Sequence, residues 1–464
     1  MAAGAVGVAC GQQGGTSTKQ QAPEPPTDKA RQAVHGDGGI GDLFEIDDPA
    51  NTINGSTPGD DWQNTIGEAA QGGTQTSSAT RVTRLADGLS NTTIFTGGGS
   101  KDPEDVSKWK WKSNTGSVPD KDDIVNAYAA AYNDTNGDLI IYFGADRFAT
   151  DGDAQMGFWF FRDDVHFVPT PSDSGESEDG TFSGHHLDGD LLVLANFLKG
   201  GAENHLQVFK WSCGTTNPAL CGSTGTLVAL TGEIVTTATR VCNPAAGTIP
   251  ADAACVATNK TNSVRAYWPY QSKDGTSATE PTIPPLGFVE GGINATQLSG
   301  LHCVSSFAAE TRASQSPTAT LKDIAVGEFP TCSLSITKEC LGTTLSTIPI
   351  DGGTAVVPQV SYRWVVCNGG VGTVNNVVVT DQLVGHDASV HDVGSLGGQQ
   401  CFDAGVRTYI PGAVDDGGTN PCQASFTNSV SATGGPDASL SASASASCPL
   451  CPCNVGGGDA GTGG

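Results

Sequence analysis

Apolar and polar positions alternate in short runs along most of this chain, and no long run keeps the period of a helix. Asn126-Ala-Tyr-Ala-Ala-Ala-Tyr132, Gly137 to Phe148 and Gly152 to Phe161 read as strand, Gly/Asp turn, strand. Tyr128, Ala131 and Tyr132 fit one short helix equally well, so the first run stays open between the two. Tyr142, Phe143, Phe148, Phe158, Trp159, Phe160 and Phe161 crowd together here, and aromatic side chains dominate core burial. The core of the larger unit is therefore expected in this stretch. Asp190 to Asn196 and Leu206 to Trp211 read as further strands, and Ala309–Ser316 with Ala319–Val326 close a unit spanning 36–332. The Thr-, Ala- and Cys-rich stretch 212–262 shows no clear apolar period and reads as an insertion pinned by disulfides.

A second set of strands fills 333–447. Ser333-Leu-Ser-Ile-Thr-Lys338 alternates strictly, Val360 to Cys367 ends at the turn signal Asn368-Gly-Gly, and Asn376 to Leu383 follows. Ala424–Ser431 and Ser439–Ala446 are the last two. Roughly seven short strands in about a hundred residues is the size of an Ig-like sandwich. The expected fold class is all-β: a jelly-roll-like antiparallel sandwich, then a C-terminal Ig-like β-sandwich, both disulfide-stapled. Residues 1–35 read as a disordered leader or signal remnant, in which Val8-Ala9-Cys10 hints at a lipoprotein cleavage site. Residues 448–464 read as a Cys/Gly-rich tail.

Charge narrows the partners. With 49 acidic and 23 basic residues, the net charge of −26 repels nucleic acid and anionic membranes and attracts divalent cations. No run approaches the roughly 20 apolar residues of a membrane-spanning helix. Fourteen cysteines in a Gly-rich, non-helical chain fit an oxidising compartment. Their near-pairs are Cys213 with Cys221, Cys242 with Cys255, Cys303 with Cys332, Cys340 with Cys367, and Cys401 with Cys422, although spacing alone does not fix connectivity. Cys448-Pro-Leu-Cys451 has the spacing of half a zinc site, without a second half elsewhere.

Two resemblances follow from particular strings. Phe44-Glu-Ile-Asp47, Gly98-Gly-Ser-Lys-Asp102, Tyr142-Phe-Gly-Ala-Asp-Arg-Phe148, Gly157-Phe-Trp-Phe-Phe161, Glu290-Gly-Gly-Ile-Asn294 and Ser305 to Arg312 resemble the N-terminal module of a group of uncharacterised secreted bacterial proteins. Ile336-Thr-Lys338, Val377-Val-Val-Thr-Asp381-Gln-Leu383 and Thr427-Asn428 resemble the Ig-like repeat of bacterial surface proteins, the eleventh of the numbered domains of unknown function. Cys367-Asn-Gly-Gly370 departs from that repeat, in which Thr-Asn-x-Gly is commoner. The resemblances imply a secreted, extracellular or cell-surface protein; such repeats serve as stalks, adhesin segments and fibre components.

Three groups carry candidate chemistry. Asp146, Asp151 and Asp153 flank a turn between aromatic strands and offer oxygen ligands for calcium, against the plainer reading of hairpin-turn residues. Glu45 and Asp47 would share one strand face, as a glycosidase pair or as an acidic pair on a solvated face. His185 and His186 point to opposite sides and read as exposed loop residues. In related surface repeats a Lys on the first strand condenses with an Asn on a late strand beside a buried carboxyl; the resemblance assigns those roles to Lys338, Asn428 and Asp381. No hydrolase elbow, P-loop or dinucleotide fingerprint is present, so no enzyme is expected. The expected role is a structural or adhesive protein of an extracellular fibre, matrix or surface layer. It would be a homopolymer joined through Ser439–Ala446 and the Cys448–Cys453 cluster, unless that strand simply completes its own sheet. The alternative is a calcium-dependent, glycan-binding, lectin-like module.

Overall fold

In the computed structural model the chain is built from strands, and helices are confined to short turns such as Pro218–Thr224 and Ala295–Ser299. The structure describes residues 40, 43–47, 49–53, 59–87, 93–113, 116–172, 175–198, 200–215, 217–275, 281–383, 386–410, 425–435 and 440–449. The leader, Cys10, Cys422, Cys451, Cys453 and the Gly-rich tail lie outside these residues.

Two antiparallel sheets carry the larger unit. The first orders Arg81–Ala86, Ile124–Asn133, Leu139–Arg147, Phe288–Asn294, Ala254–Thr258 and Arg240–Cys242. The second orders Thr226–Ala229, Glu203–Ser212, Leu191–Leu198, Ala154–Phe161, Ser306–Arg312 and Leu321–Glu328. Ile124–Asn133 is a strand, not a helix: it pairs on one side with Arg81–Ala86 and on the other with Leu139–Arg147.

The central strands are apolar at nearly every position because both of their faces are covered. Between the sheets, Ala127, Ala129 and Ala131 share one core with Phe143, Phe158 and Phe160. The small methyls of one strand leave room for the rings of the others, and Phe143 and Phe158 sit 4.6 Å apart centroid to centroid. On the outer face of the first sheet, Tyr128, Tyr132 and Tyr142 pack under Phe44, Trp62 and Trp268. On the outer face of the second, Trp159, Phe161 and Trp211 pack under Phe95, Trp109 and Phe182. Phe95 and Phe182 belong to a separate four-stranded sheet of Thr93–Phe95, Lys110–Ser113, Gly175–Ser183 and His166–Ser172.

The stretch 212–262 is not a peripheral insertion. Arg240–Cys242 and Ala254–Thr258 complete the edge of the first sheet, and Val241, Ala254 and Val256 join the inter-sheet core. Its alternation is hidden because Ala254-Cys-Val-Ala-Thr258 is buried on both faces and rich in small residues.

The C-terminal unit is an Ig-like sandwich. One sheet joins Leu334–Ile350 and Gly353–Asn368 with Cys401–Asp403 and Arg407–Tyr409. The other orders Ser389–Leu396, Val374–Gln382, Ser425–Gly434 and Leu440–Pro449. The first hairpin bulges between Cys340 and Gly342 and then runs on; among the described residues it pairs only with itself from Thr344 against Gln359 to Ile350 against Gly353. Its tip exposes Leu345, Ile350 and Val356. Val371 crosses from this unit into the inter-sheet core of the larger one.

Five disulfides close within the described residues: Cys213–Cys221, Cys242–Cys255, Cys303–Cys332, Cys340–Cys448 and Cys367–Cys401. The pairing of Cys340 with Cys367, and of Cys401 with Cys422, is corrected. Cys367 and Cys401 lie directly opposite each other on adjacent strands, whereas Cys340 faces across the sandwich to Cys448. Short sequence spacing misleads where the partner arrives from the other sheet.

Two-sided packing sets a contrast in tolerance. Phe158→Ala, at 0% exposure, is expected to destabilise the larger unit by about 3–5 kcal/mol. Leu345→Ala, at 74% exposure on the hairpin tip, is expected to change stability by no more than about 0.5 kcal/mol. Urea denaturation followed by tryptophan fluorescence measures both; equal effects would contradict the layering.

Candidate functional site

Three strands of the C-terminal sandwich each place one polar residue where the period-two pattern calls for an apolar one. On Leu334–Ile350 the inward positions are Ile336, Lys338 and Cys340. On Val374–Gln382 they are Val377, Val379 and Asp381, and on Ser425–Gly434 they are Asn428, Val430 and Ala432. Asp381 stands opposite Val430 in the ladder, so Asn428 is its diagonal neighbour.

The three side chains converge in the interior. The Lys338 and Asp381 side chains are both fully buried and make a direct charge-assisted hydrogen bond, Nζ donating to Oδ1. Lys338 Nζ also donates to the Ser429 carbonyl at 3.4 Å, beside Asn428, and lies 4.7 Å from the Tyr362 ring centroid. Tyr409 donates its hydroxyl to Asn428 Oδ1 at 2.7 Å. Burial pulls the Lys338 amine below its ordinary pKa, against the opposing pull of the Asp381 carboxylate. Burial also raises the Tyr362 and Tyr409 phenols, which stay protonated donors.

This arrangement has the parts for an amide condensation. In the condensation that the resemblance implies, Lys338, once neutral, would be the nucleophile, and Asp381 would take up the proton that Nζ must lose. The Tyr409 hydroxyl would polarise the Asn428 carbonyl through its oxygen, where charge would develop. A Cγ–Nζ bond would form, the Cγ–Nδ2 bond would break, and ammonia would leave with the transferred proton. Tyr409 was not singled out by sequence reasoning; an aromatic at an inward position two residues after an Arg gives little signal by itself.

The remaining candidates are placed differently. Asp146 is fully buried, accepts from Asn126 Nδ2 at 3.0 Å and Trp268 Nε1 at 2.8 Å, and has its pKa pushed up to about 7 by burial. Asp151 points into solvent near Lys273, and Asp153 accepts from the Gly200 amide. The three aspartates do not converge on one point. His186 is not an exposed loop residue: it is buried, 4.3 Å from the Trp211 ring and 4.4 Å from Trp159. His185 faces away from it and meets Asp105 Oδ2 at 2.8 Å. Glu45 and Asp47 are not on a solvated face; they lie together beneath the N-terminal segment with Asp61 and Glu290. Cys448 is disulfide-bonded and offers no thiolate to zinc. A cleft of about 340 Å³ between the two units holds Arg162 and His302, but its Cys303 is likewise bonded, to Cys332.

No family model matches the chain, and no curated protein does. Forty chains of solved structures match. One is the crystal structure of a tetra-tandem repeat in the extending region of a large adhesion protein, at 11% identity and a TM-score of 0.17, over 79% of this chain and 98% of that one. A likeness at that score carries no argument. The resemblances to the secreted module and to the Ig-like repeat stand on their quoted residues alone.

The condensation has a mass signature. The folded protein should weigh about 17 Da less than its disulfide-corrected sequence, and Lys338→Ala should restore that mass. Tyr409→Phe should slow the reaction about 100-fold. Conversion in that variant should be faster at pH 9 than at pH 6, because the neutral fraction of Lys338 grows as pH rises toward its lowered pKa. Full sequence mass in every sample would contradict the assignment.

Proposed function

We propose that the protein is a secreted structural or adhesive element of a bacterial extracellular fibre, matrix or surface layer, whose C-terminal sandwich carries tension. One observation carries this reading: Cys340, six residues into the first strand, is bonded to Cys448, near the end of the last, across a sequence separation of 108. Tension entering before the sandwich and leaving after it runs through that bond and bypasses everything between. The residues of the sandwich can then neither unfold nor lengthen under load. A Lys338–Asn428 amide would add a second tie from the same first strand, reaching the neighbouring strand Ser425–Gly434. Five disulfides fit an oxidising, extracellular setting. Among the described residues no helix is long and apolar enough to cross a membrane.

Self-association is proposed at the hairpin tip, where Leu345, Ile350 and Val356 are exposed on the part of the hairpin that, among the described residues, pairs only with itself. The final strand is a poorer place for it. Leu440–Pro449 pairs over ten positions with Ser425–Gly434, and Cys448 is already bonded within the chain. No observation favours the lectin reading, which calls for an aromatic platform beside Asp146; Tyr142, Phe143 and Phe158 to Phe161 are all buried.

Force spectroscopy tests the proposal. In a Lys338→Ala background, so that only the disulfide varies, reduction should add about 350–390 Å of extensible contour for the 108-residue span. Oxidised protein should lack that increment. Equal contour lengths in both states would refute a tension-bearing role.

A further inference from the structure

Four carboxylates meet on the outer face of the first sheet, beneath the N-terminal segment. Carboxylate oxygens of Glu45, Asp47 and Asp61 all lie within 4.8 Å of one another. Glu290, on Phe288–Asn294, joins them: its Oε1 accepts from the Asp47 amide at 3.2 Å and its Oε2 from Trp62 Nε1 at 3.0 Å. Asp61 and Glu290 are 0% exposed and Glu45 8%. Asp61 Oδ1 accepts from the Trp62 amide, but Asp61 Oδ2 and Asp47 Oδ2 are buried and make no hydrogen bond among the described residues. The nearby cation, Arg240, donates to the Ile46 carbonyl at 3.3 Å and acts electrostatically on Asp47.

A second, independent group points into the same place. Tyr128, Gly144 and Glu290 stand opposite one another on three adjacent strands. Gly144 carries no side chain, and a Cβ there would meet the Tyr128 ring at 2.4 Å. The ring therefore lies across Gly144 toward Glu290. Its hydroxyl is fully buried, makes no hydrogen bond among the described residues, and sits in the fields of Asp146, Glu290 and Asp61. Glycine at 144 is what leaves room for this ring between its strand and that of Glu290.

Four carboxylates in a low-dielectric pocket cannot all stay ionised alone. Burial, then the neighbouring carboxylates, raises Asp61 and Glu290 well above the usual range, and Asp47 to about 6. Either shared protons or a bound cation must hold the cluster together. We propose that Glu45, Asp47, Asp61 and Glu290 form a calcium site that ties the N-terminal segment to the first sheet. The donors are all oxygen, which suits a hard cation, and none of the four is the nitrogen or sulfur that zinc prefers. Calcium takes six to eight oxygens in flexible geometry, and four carboxylates, two oxygens each, can supply that number. Magnesium is the poorer fit, since it keeps several waters, and three of these four carboxylates are buried. Asp47, only half-buried, leaves the entry path.

Terbium is the direct probe, because Trp62 donates to Glu290 and would sensitise a lanthanide held there. Chelator-treated full-length protein should show tryptophan-excited terbium emission that calcium displaces, and calcium should raise its melting temperature. Asp61→Asn should abolish both effects, and Asp47→Asn should weaken calcium binding at least about tenfold while leaving the fold intact. Asp151→Ala, removing an exposed carboxylate elsewhere, should change neither. Should Asp61→Asn fail to fold, Asp47→Asn decides the matter. The proposal is overturned if wild type shows neither emission nor a calcium-dependent melt, which is the shared-proton outcome, or if both effects survive unchanged in Asp47→Asn.

Discussion

A strand whose inward side chains are alanines has little to hold it down. In Leu440–Pro449 the inward positions include Ala442, Ala444 and Ala446, and serines alternate with them on the solvent side. Their three half-buried methyls contribute about 2.4 kcal/mol at most, at about 0.8 each, beside half-buried Leu440 and buried Cys448. The Cys340–Cys448 bond closes a 108-residue loop, and chain-entropy reasoning gives such a loop about 4.7 kcal/mol. The covalent tie therefore outweighs the packing of the three alanines on the strand it fastens. Sandwich closure, the burial of Lys338, Asp381 and Asn428, and the bypass of load all depend on it.

The larger unit solves the same problem without such a tie, by covering both faces of its sheets. Phe44 stacks on Tyr142 at 4.7 Å on one side, and the Phe95–Phe182 pair closes the other. The consequence is that polar residues on the central strands are sealed in. Arg312, Glu310 and Asp102 are all 0% exposed, with Arg312 Nη1 3.4 Å from Asp102 and 3.5 Å from Glu310. Breaking one partner of such a network leaves an uncompensated charge, which costs far more than any surface pair.

Much of this was legible in the sequence, for a physical reason. Strands with one solvated face alternate, so the C-terminal sandwich and the inward positions of Lys338, Asp381 and Asn428 follow from period two and from the repeat they resemble. Strands buried on both faces do not alternate, which hid Ala254–Thr258 and left Ile124–Asn133 open between helix and strand. Layering also reversed the setting of polar residues. His186, Glu45 and Asp146 read as surface groups from their polar neighbours in sequence, and each is covered by a segment distant in the chain. Glu290 carried a usable signal, a lone acid inside the apolar run Phe288-Val-Glu-Gly-Gly-Ile-Asn294. The exposed extension of the first hairpin had none, because its alternation matches an ordinary half-buried strand.

The most direct measurement is a disulfide map of the unreduced protein. Trypsin cleaves after Arg363 and Arg407, and chymotrypsin after Phe426, so Cys340, Cys367 and Cys448 fall in different peptides. The tie across the sandwich predicts one linked species joining the Cys340 peptide to the Cys448 peptide, and a separate Cys367–Cys401 bond. Cys340 joined instead to Cys367 or Cys422, or recovered as a free thiol, would contradict it.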